Sequence, residues 1–161
     1  MILGLSLANF TFLHVFLSLL GIGAGIFVMY GLLTSRRLRI LTALFFISTV
    51  LTSLTGFLFP FKGVTPGIII GILSIIVLIL AIVGLYVKKL DGSWRSIYVI
   101  SVCVAFYFNF FVLIAQTFDK VPALKDAAPT MSSPVFGLTQ LALLVIFVLL
   151  TVRAVKRFHP V

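Results

Sequence analysis

Apolar residues fill five long runs of the chain, and charge, proline and glycine collect in the short segments between them. A hydrocarbon core about 30 Å thick takes about 20 residues of helix to cross. Five runs reach that length: 9–33, 40–59, 66–87, 94–118 and 134–152. No Asp, Glu, Lys or Arg lies securely within any of them. The pattern predicts an all-α, polytopic transmembrane bundle of five spans in a single domain, with its longest connection at 119–133.

The run ends carry helix-boundary chemistry. Thr65-Pro66 and Ser133-Pro134 each read as a cap followed by proline at the first helical position. Proline is favoured there because the N–H it lacks would be unpaired anyway. Asp91-Gly92-Ser93 reads as a tight turn with Ser93 capping the fourth helix. Asn9 is the expected cap of the first helix, and Pro60 the expected stop of the second. The segment DKVPALKDAAPTMSS (119–133) reads as a solvated linker or, through VPAL, as a lid lying back over the bundle.

Composition agrees with the pattern. Of 161 residues, 62% are hydrophobic and 9% charged, and the mean hydropathy is +1.34. A soluble domain carries about 25% charged residues. A water-facing surface cannot be built from this chain, which excludes a cytosolic enzyme, a nucleic-acid-binding domain and a disulfide-stapled secreted module. Cys103 is the single cysteine and reads as a small packed side chain. The first ten residues contain no Lys or Arg, so the first run is expected to be a retained span and not a signal peptide.

The net charge of +9 reads as a topology signal. Nine basic residues (Arg36, Arg37, Arg39, Lys88, Lys89, Arg95, Arg153, Lys156 and Arg157) fall on one side of the predicted bundle. Three (Lys62, Lys120 and Lys125) fall on the other. Basic residues accumulate on the cytoplasmic side. The expected orientation is N-terminus outside and C-terminus cytoplasmic. The cations are split over three short loops, so their expected partners are anionic membrane lipids and not nucleic acid.

Small and polar residues form stripes at helical spacing. Gly21 and Gly25 belong to the first span, Gly56 to the second, and Gly67, Gly71 and Ser74 to the third. Such residues let helices approach closely, and their plain reading is helix packing. Larger polar groups need partners in a medium without water. His14 lies about 7 Å from the outer start of its span and Gln140 about 9 Å from the outer start of its own. Gln116, Asn109, Thr52, Ser53 and Thr55 share the outer half, and Tyr107 lies near the middle. If these residues converge, they form a neutral hydrogen-bonding pocket lined by phenylalanines. If not, they form a network that only holds the bundle together.

His14 reads as a packing histidine, a pocket group or a haem ligand. A bis-histidine haem would need a second chain, because His159 lies in the cytoplasmic tail. No intramembrane ionisable relay, paired catalytic carboxylates or HExxH motif is present. No metal or other cofactor is expected.

The stretches FLHV (12–15), TSLTGFLFPF (52–61) and YFNFFVLIAQTFDKVPAL (107–124) resemble small multi-spanning bacterial inner-membrane proteins without assigned function. The resemblance implies a multi-pass protein of the bacterial inner (cytoplasmic) membrane and carries no activity or site residues. Five spans also invite comparison with tryptophan-rich translocator proteins, but the chain has one Trp.

The expected function is non-enzymatic: binding of a small neutral or lipid-like ligand, or of a partner membrane subunit, at the outer-half seam. The alternatives are an uncoupled, oligomeric channel or facilitator for a small solute, and a haem- or quinone-associated subunit using His14.

Overall fold

The computed structural model describes residues 2–60 and 63–160. Lys62, counted above on the outer side, falls outside them. The described residues form six helices, five of them long and apolar enough to cross a membrane.

Helix starts follow local side-chain chemistry. α1 (Leu7–Leu33) begins at Ser6, whose Oγ accepts the Asn9 amide at 3.2 Å. Asn9 is therefore the residue being capped, because Ser6 already supplies the oxygen one turn upstream. α2 spans Arg39–Gly56 and ends before Pro60. α3 (Pro66–Ile82) is capped as expected by Thr65, whose Oγ1 accepts the Ile68 amide at 3.4 Å. Its last turn widens into a π turn over Val83–Val87.

α4 (Ser93–Lys120) follows Gly92, which takes a left-handed φ of +50°. Gly92 makes the turn and Ser93 is the first helical residue, so Ser93 is not the cap. The 119–133 segment is partly helical: α4 runs to Lys120 and α5 occupies Pro122–Ala127 beside it. Asp119 at the end of α4 pairs with its neighbour Lys120 at 2.7 Å and reaches Lys125 of α5 at 3.3 Å, which ties the two helices together. α6 (Pro134–Arg157) continues one turn past the expected end. Ser133 caps no α6 amide; its Oγ accepts the Thr130 amide at 3.3 Å.

α1, α2, α3 and α4 close a ring in which each packs on the next and α4 returns to α1. α6 lies outside that ring against α4 and α1. Outward faces are predominantly apolar, with Ile26, Phe27, Ile47, Ile72, Ile76, Leu141, Val145 and Leu149 all exposed. A water-soluble bundle would hide these residues; in a bilayer they meet lipid. The chain is an integral membrane protein.

Inside the ring, close contact replaces hydrophobic driving force, because lipid tails are as apolar as the core. Phe106 of α4 stacks edge-on to Phe45, Phe110 and Phe147 at centroid distances of 6.1, 5.1 and 5.4 Å. This aromatic knot joins α2, α4 and α6. Of the packing residues read from sequence, Gly21 and Gly25 face close neighbours across α1, Gly71 faces the Phe57 ring, and Gly56 faces His14. Ser74 is buried, whereas Gly67 is exposed and meets only its own cap residue, Thr65.

Cys103 is 1% exposed. We expect N-ethylmaleimide to leave it unmodified in mild detergent and to label it fully in SDS. Labelling of the folded protein would contradict this packing.

Candidate functional site

Three interhelical hydrogen bonds lie in the half of the bundle away from the arginine-rich α1–α2 link. The first joins α1 to α2: His14 Nδ1 stands 2.8 Å from Thr55 Oγ1. The Thr55 hydroxyl donates to the Leu51 carbonyl at 2.7 Å. With that hydrogen committed to the Leu51 carbonyl, Nδ1–H of His14 is the matching donor to Thr55 Oγ1. Phe59 stacks edge-on against the imidazole at 5.2 Å. The ring is fixed by one hydrogen bond and one aromatic face.

The second bond joins α4 to α2. Asn109 Nδ2 donates to Thr49 Oγ1 at 3.1 Å. Thr49 is 1% exposed. This contact exists because α1 has no side chain at Gly21. A Cβ there would stand 3.1 Å from both Ser48 Oγ and Thr49 Oγ1. The sequence stripe and the hydrogen bond are therefore two views of one close three-helix contact.

The third bond joins α6 to α4. Gln140 Nε2 donates to the Phe111 carbonyl at 3.1 Å. Gln140 is 8% exposed, and its Oε1 has no hydrogen-bond partner among the described residues. Thr52 Oγ1, one turn from Thr49 on α2, is likewise buried without a partner among them. Unpaired polar atoms of this kind are few in folded proteins.

The remaining sequence-predicted residues do not join these bonds. Ser53 is buried on α2. Tyr107 turns to the α4–α6 groove, where its ring packs on Phe147 at 5.6 Å. Gln116 is exposed on α4. The two glutamines look equivalent by depth, but helix rotation buries one and exposes the other. His159 lies at the opposite end of the molecule from His14, with its amide on Ser35 Oγ at 2.8 Å. The chain's two histidines therefore cannot act on one group. Among the described residues, no three His, Cys, Asp or Glu side chains gather as metal ligands.

The other end is held by Arg95, which in the sequence stands out only as one of the basic residues. Its Nη1 donates to the Val155 and Phe158 carbonyls, both at 2.8 Å. Helix C-termini leave carbonyls unpaired and carry partial negative charge, so a guanidinium there both caps and neutralises. The latch seats Phe158, 2% exposed, on the Tyr98 ring at 5.8 Å. With the Ser35–His159 bond it draws the α1–α2 link, the start of α4 and the end of α6 to one end. No local sequence signal marks a bond spanning sixty residues.

Comparison with known protein families, curated proteins and solved structures finds no match.

Proposed function

We propose that this chain is a non-enzymatic protein of the bacterial inner membrane, oriented with its basic end in the cytoplasm. In this reading its outer-half seam binds a small neutral or lipid-like molecule that carries a hydrogen-bond donor. The observation that carries the reading is two buried oxygens, Thr52 Oγ1 on α2 and Gln140 Oε1 on α6, each without a partner among the described residues. An unpaired buried acceptor costs about 1–3 kcal/mol. A ligand hydroxyl or amide N–H at either oxygen would recover much of that. The His14–Thr55 and Asn109–Thr49 bonds brace the helices on which the ligand would rest. Among the described residues, the seam holds no side chain that carries a permanent charge, which favours a neutral ligand and no proton coupling.

Native mass spectrometry of the protein released in mild detergent tests this directly. The expected result is a retained mass on the wild-type chain that Gln140→Leu and Thr52→Val each reduce about tenfold in occupancy. A bare wild-type monomer would count against the reading, and a bare oligomer would favour the channel alternative.

Orientation has its own test. Cysteine introduced at Ser132 should react with a membrane-impermeant maleimide added to intact spheroplasts, and cysteine at His159 should not. The native Cys103, being buried, adds no background. The reverse pattern would place the basic end outside.

A further inference from the structure

At the basic end the described residues enclose a cleft of about 240 Å³. Arg36, Arg37 and Arg39 of the α1–α2 link and the start of α2 line it, together with Thr42 and Tyr98. No acidic side chain is among its lining residues. Val28, Leu32 and Leu85 continue the wall toward the bundle interior. The cleft is thus cationic at its mouth and apolar within.

Its shape follows from the link between the first two spans. Ser35 takes a left-handed φ of +58°, and the Arg36 amide donates back to the Gly31 carbonyl at 2.8 Å. The fold-back needs glycine at 31, where a Cβ would stand 2.8 Å from the Arg36 carbonyl oxygen. This reversal delivers three arginines, within four residues, to the start of α2. α2 has no side-chain cap, so its first-turn amides add partial positive charge to the same end. The opposite wall is Tyr98, 3% exposed, held in place by Phe158 and the Arg95 latch.

We propose that this cleft binds a phosphoester anion, and that the headgroup of an anionic membrane lipid is its source. Arginine forks match phosphate oxygens in bidentate geometry. Hydroxyl side chains such as those of Thr42 and Tyr98 suit the remaining oxygens. The apolar inner wall suits the first carbons of an acyl chain, which a soluble phosphate would not use. The site differs from ordinary surface attraction between basic loops and lipid, because only one of the three basic clusters lines it.

Native mass spectrometry of the full chain, titrated with dimyristoyl phosphatidylglycerol, provides the test. Dimyristoylglycerol, which lacks the phosphate, is the first control and should bind at least about tenfold more weakly. Replacing Arg36, Arg37 and Arg39 together by glutamine should weaken phosphatidylglycerol binding at least about tenfold. Replacing Arg153, Lys156 and Arg157 by glutamine removes the same charge from the same end and should change binding by no more than about twofold. Equal losses from the two triple variants, or equal binding of the two lipids, would overturn the proposal.

Should the first triple variant fail to fold, Tyr98→Phe keeps the ring on Phe158 and removes only the hydroxyl. It should weaken binding at least about tenfold, the worth of one hydrogen bond to a charged group; unchanged binding would overturn the proposal. Glycerol phosphate separates the two sources of the anion. If it fails to displace phosphatidylglycerol, the ligand is the lipid. If it displaces the lipid at comparable concentration, the site takes the phosphoester from solution.

Discussion

Gly25→Ala should destabilise the folded protein by on the order of 2 kcal/mol, measured as a shift in SDS-induced unfolding in mixed micelles. An added Cβ at Gly25 would stand 2.5 Å from two atoms of the Phe106 ring. A flexible side chain could swing aside, but Phe106 is 4% exposed and wedged against Phe45, Phe110 and Phe147. Relief would require α1 to move away from α4. That movement would also stretch the contact at Gly21, one turn earlier on the same face.

Gly23→Ala is the matched control. No heavy atom lies within 4 Å of a Cβ at Gly23. There the methyl should be neutral or stabilising, by up to about 1 kcal/mol of helix propensity. The two substitutions are chemically identical and two residues apart. A similar effect from both would mean that α1 does not pack on Phe106 as described.

Phe158→Ala should destabilise by about 3 kcal/mol, the usual cost of emptying a buried phenylalanine site. Phe158 lies beyond the last turn of α6 and outside the apolar run that predicts the span, yet it is 2% exposed. Its ring rests on Tyr98, and its carbonyl accepts from Arg95 at 2.8 Å. The loss should be read in the same unfolding assay. A second readout is the His159 amide, bonded to Ser35 Oγ at 2.8 Å. Its hydrogen exchange should accelerate toward that of a free tail. A tail that contributed nothing would show neither effect.

The same substitution bears on the basic-end cleft, because Phe158 lines it and holds Tyr98. Removing the ring should also loosen phosphatidylglycerol binding. The arginine-bearing link is anchored separately through Gly31. Arg36, Arg37 and Arg39 keep that anchor even if the Ser35–His159 bond is lost, and binding should weaken less than in the triple glutamine variant.

The polar seam in the half of the bundle away from the basic end was partly legible in the sequence. Depth along a helix follows from counting residues at a fixed rise per residue, and His14, Asn109 and Gln140 could be assigned to one half on that basis. Rotation about the helix axis could not be assigned. Gln116 and Gln140 illustrate the difference: each lies near the same end of its span, and only Gln140 is buried. α6 presents one narrow face to α4 and α1, and Gln140 lies on it. Gln116 lies about one turn before the end of α4, on a side that no other helix covers in the described residues. Rotation depends on which neighbour packs where, and that is a sum over contacts distant in sequence.

The glycine stripes show the same division. At Gly21 and Gly25 the small residues mark real close approaches, to Ser48, Thr49 and Phe106. Gly67 fits the same small-xxx-small spacing with Gly71, but among the described residues a Cβ there would meet only Thr65, beside it in the chain. Spacing gives a face; only a partner helix makes that face a seam.

The sequence alone determined the five spans and the clustering of nine of twelve cations at one end of the bundle. Both are local properties: hydrophobicity adds up residue by residue along a helix, and alternate short loops between spans must lie on the same side. Tertiary structure decided which polar groups meet, that Arg95 caps α6, and that a fold-back at Gly31 turns an arginine-rich link into the wall of a cleft. Each of these depends on the relative rotation and approach of helices far apart in the chain. That geometry is set by how all the side chains pack together, and no single stretch of the sequence carries it.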